Sequence, residues 1–116
     1  MKAYIIDPRT RTLRAQLFPD RSRPDKLVPA LQQVLNADIL EYTQLLPGLM
    51  LVTNANPDAS APLFRLGVGG GRVHARGKAL FVGTGLDKNL NAMLCTPVES
   101  PDKLMALIEW VPSALA

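Results

Sequence analysis

Ten prolines are spread through this chain of 116 residues, and they set the scale of what it can build. Each fixes φ at about −65° and removes a backbone donor, so helix interiors and central strands must be short or must avoid them. The sequence therefore predicts short elements joined at many corners. Its length predicts one domain, residues 1–116, able to bury roughly two-thirds of the surface of the unfolded chain. Aromatic residues are few, namely Tyr4, Phe18, Tyr42, Phe64, Phe81 and Trp110, so the core must rest on Leu, Val, Ile and Ala.

Residues 2–6 (KAYII) and 11–18 (RTLRAQLF) read as a hairpin. Asp7 and Pro8 supply the turn between them, because Asp can bond back to its own backbone and Pro presets φ. Leu13, Ala15 and Leu17 alternate with Arg14 and Gln16, the period of a half-buried strand. A first helix is predicted over about 24–36, with Leu27, Leu31, Val34 and Leu35 as its apolar stripe. Pro24 would sit in its first turn and Ser22 with Asp25 would form a capping box, while Pro29 would kink it or delay its start. Ile39 to Thr53 reads as a second hairpin around Pro47-Gly48, a type II turn pair. A polar loop, NANPDASAP (54–62), follows, then strands near 72–76, 79–83 and 92–96. A second helix is expected over 101–111, capped by Ser100, with Leu104, Leu107, Ile108 and Val111 buried. The predicted architecture is α+β: antiparallel hairpins forming one sheet, with both helices packed on one face. Pro-Asp-Lys-Leu occurs twice, at 24–27 and 101–104, each time after an Ala-x-Leu strand at the same spacing. That echo reads either as an internal duplication or as the same start-of-helix chemistry used twice.

Function turns on residues 66–85, LGVGGGRVHARGKALFVGTG, which hold seven of the eight glycines and the only histidine. The net charge is only +3, yet no acid lies between Asp58 and Asp87, while Arg65, Arg72, Arg76 and Lys78 all do. A second basic cluster, Arg9, Arg11, Arg14, Arg21 and Arg23, is partly offset by Asp7, Asp20 and Asp25. Such local strips permit an anionic partner without requiring one. The glycines do not form a nucleotide loop. A phosphate-binding P-loop needs four residues between its glycines and a hydroxyl after the lysine, whereas Gly71 to Gly77 spans five and Ala79 follows Lys78. A dinucleotide fingerprint fails where Arg72 or Lys88 stands in place of the third glycine.

Extended from Arg72, the chain would alternate Val73, Ala75, Gly77, Ala79 and Phe81 with Arg72, His74, Arg76 and Lys78. Donors on one face would then recur every ~7 Å, near the spacing of successive phosphates. If Arg76-Gly77-Lys78 turns instead, the charges gather at a tip. Arg65, Arg72, His74, Arg76 and Lys78 are therefore the candidate binding residues, with Gly67 and Gly69 to Gly71 allowing a mobile loop or close backbone approach. The opposing reading is a charged edge strand that discourages edge-to-edge pairing. Aromatic stacking partners for bases are absent from the charged face, so nucleic-acid binding would be backbone-directed and salt-dependent. Cys95 lies in an apolar run, where cysteine behaves as a small hydrophobe, and His74 has no second histidine for a metal site. No catalytic residues, metal ligands or cofactor are assigned, and an enzyme is the less favoured class. MKAYIIDPRT carries too short an apolar run for a secretory signal, and no segment reaches the length of a membrane span, so a cytoplasmic protein is expected.

Three landmarks resemble a family of short, uncharacterised proteins of bacteriophages and mobile elements. They are Ile6-Asp7-Pro8-x-x-Arg11-Thr12, Asn56-Pro57-x-Ala59, and Gly77-Lys78-Ala79-Leu80-Phe81-Val82-Gly83. The resemblance spans residues 1–83 and implies an α+β fold in a phage or plasmid setting, but no activity and no site. The expected function is non-enzymatic binding of an anionic partner, either a nucleic-acid backbone or a phosphate-bearing small molecule. The alternative is a protein–protein module, such as an inhibitor of a host enzyme or defence complex.

Overall fold

The structure, a computed structural model, describes residues 1–19 and 23–112. It is α+β and mainly antiparallel strand. β1 (Lys2–Asp7) and β2 (Thr12–Leu17) form the expected hairpin, followed by α1 (Pro24–Leu35) and the hairpin β3 (Leu40–Leu46) and β4 (Leu49–Asn54). Then come β5 (Leu63–Val68), β6 (Gly71–Arg76), β7 (Ala79–Leu86), β8 (Ala92–Cys95), α2 (Pro101–Ala106) and β9 (Ile108–Trp110).

The strands make two sheets, not the single sheet expected. The larger is six-stranded, ordered β2-β1-β7-β4-β3 with β8 also on β7; the smaller is three-stranded, ordered β6-β5-β9. β7 is the spine of the larger sheet. Tyr4 to Ile6 and Ala92 to Cys95 both pair with it, and they share one edge end to end where the Lys2 N–H donates to Thr96 Oγ1 (2.9 Å). The continuous apolar runs AYII and ALFV follow from burial on both sides. Alternate residues enter two different cores, so neither run shows a polar face.

One core lies between the large sheet and α1, where Leu27, Leu31 and Leu35 pack on Ala3, Ile5, Val52, Leu80 and Val82. The other lies between the sheets, where Tyr4, Ile6, Leu51 and Phe81 meet Phe64, Leu66 and Leu104. The two helices therefore cover opposite faces of the large sheet, not the single face expected, because alternate residues of β1 and β7 feed two cores. Both copies of the Pro-Asp-Lys-Leu echo start a helix. Both copies place Pro in the first turn with Asp behind it, but one opens a helix of 12 residues and the other a helix of 6 on the opposite face.

Local expectations fare unevenly. Asp7 Oδ1 accepts the Arg9 N–H (3.0 Å), and Gly48 takes φ +82° in the Pro47-Gly48 turn. Arg23 precedes α1 and caps it with no side-chain bond, and the expected Ser22 cap lies outside the described residues. α1 runs on through Pro29 and stops at Asn36 (φ +49°). There the Asn36 and Ala37 N–H groups bond back to Gln33 and Gln32 in a Schellman closure. In β2 only Leu13 joins a core; Ala15 and Leu17 (78% exposed) do not, because β2 is an edge strand that the second layer covers only in part.

The second helix is the largest correction. It ends at Ala106 rather than near 111, and Ile108 to Trp110 become β9. Ile108 and Trp110 point to the core while Glu109 faces out against Arg65, a period of two that outweighs the helical spacing of Leu104, Leu107 and Ile108. β9 also covers the second edge of β5, where the Gly67 N–H donates to Leu107 O (3.0 Å). Among the described residues no helix is long and apolar enough to cross a membrane.

Gly83 is the tightest point of the design. A Cβ there would lie 2.7 Å from Thr96 O and 2.9 Å from Cys95 O, both backbone atoms where the chain crosses β7. Gly67 has nothing within 4 Å of the same position and no positive φ. Gly83→Ala is expected to destabilise the fold by about 1–3 kcal/mol, and Gly67→Ala to stay within about 0.5 kcal/mol of wild type. Urea melts of the two variants measure the difference, and equal midpoints would contradict the crossing geometry.

Candidate anion-binding cleft

The glycine-rich basic stretch is split by the fold. Val68 and Gly71 close a two-residue hairpin turn in which Gly69 (φ +56°) and Gly70 (φ +80°) are both left-handed, as a type I′ turn requires. Gly69 and Gly70 thus make a tight turn between β5 and β6, in place of a mobile loop, one of the two roles expected of these glycines. At the far end of β6, Gly77 (φ +74°) donates its N–H to Pro62 O (2.8 Å) and turns the chain out of the small sheet. β6 and β7 therefore belong to different sheets. Of the two geometries expected, a strip continuous from Arg72 to Phe81 or a turn at Arg76-Gly77-Lys78, the chain takes the turn: the row breaks at Gly77, and Lys78 leaves it.

Four of the five predicted residues lie on the small sheet. Arg65, His74, Arg72 and Arg76 stand on its outward side, while Phe64, Leu66, Val73, Ala75, Ile108 and Trp110 line the core. The aromatics are turned inward, Phe64 and Trp110 tilted against each other at 6.4 Å between centroids, so the charged face offers no stacking platform. Two of its cations already have a counter-ion. Arg65 binds Glu109 at 2.6 Å and Arg72 reaches the other Glu109 oxygen at 3.6 Å. The absent side chain of Gly67, which faces Arg72 across the β5–β6 ladder, leaves the way open for that reach.

Arg76 and Lys78 lead elsewhere. With Arg9 they line a cleft of about 500 Å³ at one end of the molecule. Its walls are the β1–β2 turn (Asp7, Pro8, Arg9, Thr10), the end of α1 (Val34 to Asn36), the 54–62 loop and the Arg76-Gly77-Lys78 corner. Among the described residues neither Arg9, Arg76 nor Lys78 forms an ion pair; Arg76 donates from Nη1 to Ala61 O (3.0 Å). His74 opens instead, with Arg76, onto a smaller adjoining cavity of about 280 Å³ that also holds Glu41 and Thr53.

The two acids of the cleft are committed to its walls. Asp7 Oδ1 accepts the Arg9 N–H, and Asp58 Oδ1 accepts both the Ser60 N–H (2.9 Å) and the Ser60 hydroxyl (2.8 Å). Those Ser60 bonds, the backbone one foremost, with the charge of Arg9 adding to them, hold the Asp58 carboxyl below its ordinary range. Asn54 Oδ1 closes a similar turn on the Asn56 N–H (2.9 Å). Each turn fixes a wall by a short side-chain-to-backbone bond, so the cleft is held open by local chemistry.

Arg9, Thr10, Asn36 and Asn54 escaped the sequence reading as site residues. The available signal was the turn chemistry of Asp7-Pro8 and Asn56-Pro57-Asp58. Those segments and Gly77-Lys78, far apart in the chain, are brought together at this cleft by the fold. No family model, curated protein or solved structure matches the chain.

The Asp58 turn predicts a pH signature. A carboxyl with a lowered folded-state pKa contributes stability that is complete above the ordinary value of 3.8 and is lost as pH falls through the lower folded value. The Ser60 amide resonance should therefore hold its position down to that range and move only below it. Asp58→Asn should abolish the acid-dependent shift. A Ser60 amide that titrates above the ordinary carboxylate range would contradict the turn.

Proposed function

We propose that this chain is a non-enzymatic binding protein, acting in the cytoplasm of a cell that carries a phage or mobile element, which takes a phosphate-bearing small molecule in the cleft of Arg9, Arg76 and Lys78. The observation that carries this reading is the contrast between the two groups of cations. Arg65 and Arg72 are engaged by Glu109, whereas among the described residues the cleft cations form no ion pair, Arg9 acting on Asp58 only at longer range, and they line a concavity within the size range of small-ligand sites. Arginine and lysine residues lining one cleft suit a phosphate, which Arg binds in bidentate fashion and Lys as a point charge. An extended nucleic-acid backbone is less well served, because the row of donors is interrupted at Gly77 and partly neutralised. His74 and Cys95, the side chains with base or nucleophile chemistry, lie on strands of different sheets.

A second reading, as a protein–protein module, is favoured by the β7–β8 hairpin tip. Leu86 (61% exposed) and Leu90 (76% exposed) stand there together, and Leu90 takes φ +63°, a conformation costly for a branched apolar residue.

The test is calorimetric titration with pyrophosphate and with a nucleoside triphosphate, alongside short single- and double-stranded oligonucleotides from low to physiological salt. Arg9→Ala and Lys78→Ala should each weaken small-anion binding by roughly ten- to a hundredfold, the worth of a charge-assisted hydrogen bond. Arg72→Ala should leave it within about twofold. Loss of binding in Arg72→Ala with Lys78→Ala unaffected would move the site to the small sheet and overturn the cleft. No anion binding, together with a captured partner that Leu90→Asn releases, would favour the second reading.

A further inference from the structure

The small sheet has an open edge whose backbone and side chains make the same demand on a partner. Hydrogen-bonded pairs alternate along an antiparallel ladder, and a two-residue turn places one at its closing residues. Val68–Gly71, Leu66–Val73 and Phe64–Ala75 are then the bonded pairs, and the Gly77 N–H to Pro62 O bond continues the series. Gly67, Arg65 and Leu63 turn their peptide groups away from β6, as the Gly67 N–H bond to Leu107 O shows. By the same alternation, the N–H and C=O groups of Arg72, His74 and Arg76 point off the outer edge of β6. Among the described residues nothing bonds those N–H groups.

Those three residues are also the ones whose side chains stand on the charged face, and Arg72 and His74 are exposed. A strand laid antiparallel along this edge would place its residues directly opposite Arg72 and His74, at Cβ separations of about 4.5–5.5 Å. A second copy of the chain is disfavoured there. An antiparallel self-pair centred on His74 sets Arg72 against Arg76, and like charges directly opposite are destabilising. An acidic strand meets the opposite condition. Its carboxylates face the Arg72 guanidinium and the His74 ring N–H, while its intervening apolar residues extend the inner face of Val73 and Ala75. No acid lies between Asp58 and Asp87, and Glu109, on β9 across β5, spends its short contact on Arg65 (2.6 Å) and reaches Arg72 only at 3.6 Å, leaving the Arg72 side chain 60% exposed. The small cavity that His74 and Arg76 share with Glu41 lies at one end of this edge, and Arg76 is half-buried there, so the contacts with the segment fall to the exposed Arg72 and His74.

We infer that the free edge of β6 is a docking site for an extended acidic peptide segment of another protein, added as a fourth strand with carboxylates opposite Arg72 and His74. Main-chain hydrogen bonds hold the segment, and the charges on β6 select for acidic residues over basic ones. The site is separate from the cleft: Arg9 and Lys78 take no part in it.

The probe is an acetylated, amidated heptapeptide alternating glutamate and valine, titrated into isotopically labelled protein and followed by amide exchange. The Arg72 and His74 amides should slow at least tenfold, with the already bonded Val73 amide little changed. A lysine-for-glutamate probe should bind at least tenfold more weakly, and so should the acidic probe against Arg72→Glu. His74→Pro removes only an unbonded donor, which an edge strand tolerates, and should abolish binding with the spectrum otherwise folded. Should that variant fail to fold, a probe N-methylated at its glutamates makes the same test, and its loss of binding supports the site. The inference is overturned by no binding, by binding without amide protection, by equal binding of the lysine probe, or by unimpaired binding of the N-methylated probe. Arg9→Ala and Lys78→Ala should leave peptide binding unchanged, so failure here is distinguishable from failure of the cleft.

Discussion

Everything in this molecule hangs on one strand. β7 is buried along Ala79 to Gly83 and belongs to both cores at once, with Leu80 and Val82 under α1 and Ala79 and Phe81 under the small sheet. Three other strands pair directly with it, β1 and β8 on one edge and β4 on the other. An antiparallel strand with both faces covered can carry no polar alternation, and its sequence, ALFVG, carries none. The double burial also accounts for Gly83. Where β8 leaves the sheet the backbone crosses so near that no Cβ fits, and the strand yields its side chain to keep its neighbours.

The same strand fixes where the charges go. Lys78 sits immediately before the first buried residue of β7, so it cannot follow Arg72 and His74 across the small sheet and is delivered to the end of the sandwich. Gly77 makes that turn possible, its left-handed φ +74° ending one sheet and starting the other. A run of basic residues that looks uniform in one dimension becomes two surfaces in three. One is a strand edge with a built-in counter-ion at Glu109, and the other a cleft whose own acids are occupied in holding its walls. Which cations are available to a ligand is decided by these local bonds, since the total charge of +3 is the same for either surface.

What could be read from the sequence was the local chemistry. Asp7-Pro8, Pro47-Gly48, Pro24 at a helix start and the cap of Ser100 on Lys103 N–H each rest on interactions within four residues, and each is found in the structure. The strand pattern of 39–53 was also visible, because its turn and its apolar runs agree. Partition of the strands into two sheets was not visible, since pairing β5 with β9 joins residues more than forty apart and no period records it. β5 itself was hidden by glycines that read as a loop but serve as one end of a ladder and a type I′ turn. The C-terminal segment satisfied two periods at once. Leu104, Leu107 and Ile108 fit a helix, Ile108 and Trp110 fit a strand, and only the open edge of β5 and the charge of Arg65 decide between them. The cleft was legible in fragments: its lysine and one arginine were singled out, while Arg9 had no signal beyond a basic neighbourhood and an Asx turn.

Residues 63–76 and 108–110 form one antiparallel sheet that leaves Lys78 outside it. Proton cross-relaxation measures this most directly, because non-bonded antiparallel pairs bring their Hα atoms together. Hα–Hα contacts are expected between Arg65 and His74, Gly67 and Arg72, Leu66 and Ile108, and Phe64 and Trp110. A helical pattern of sequential contacts running through Glu109 to Val111, with the Leu66–Ile108 contact absent, would contradict this sheet.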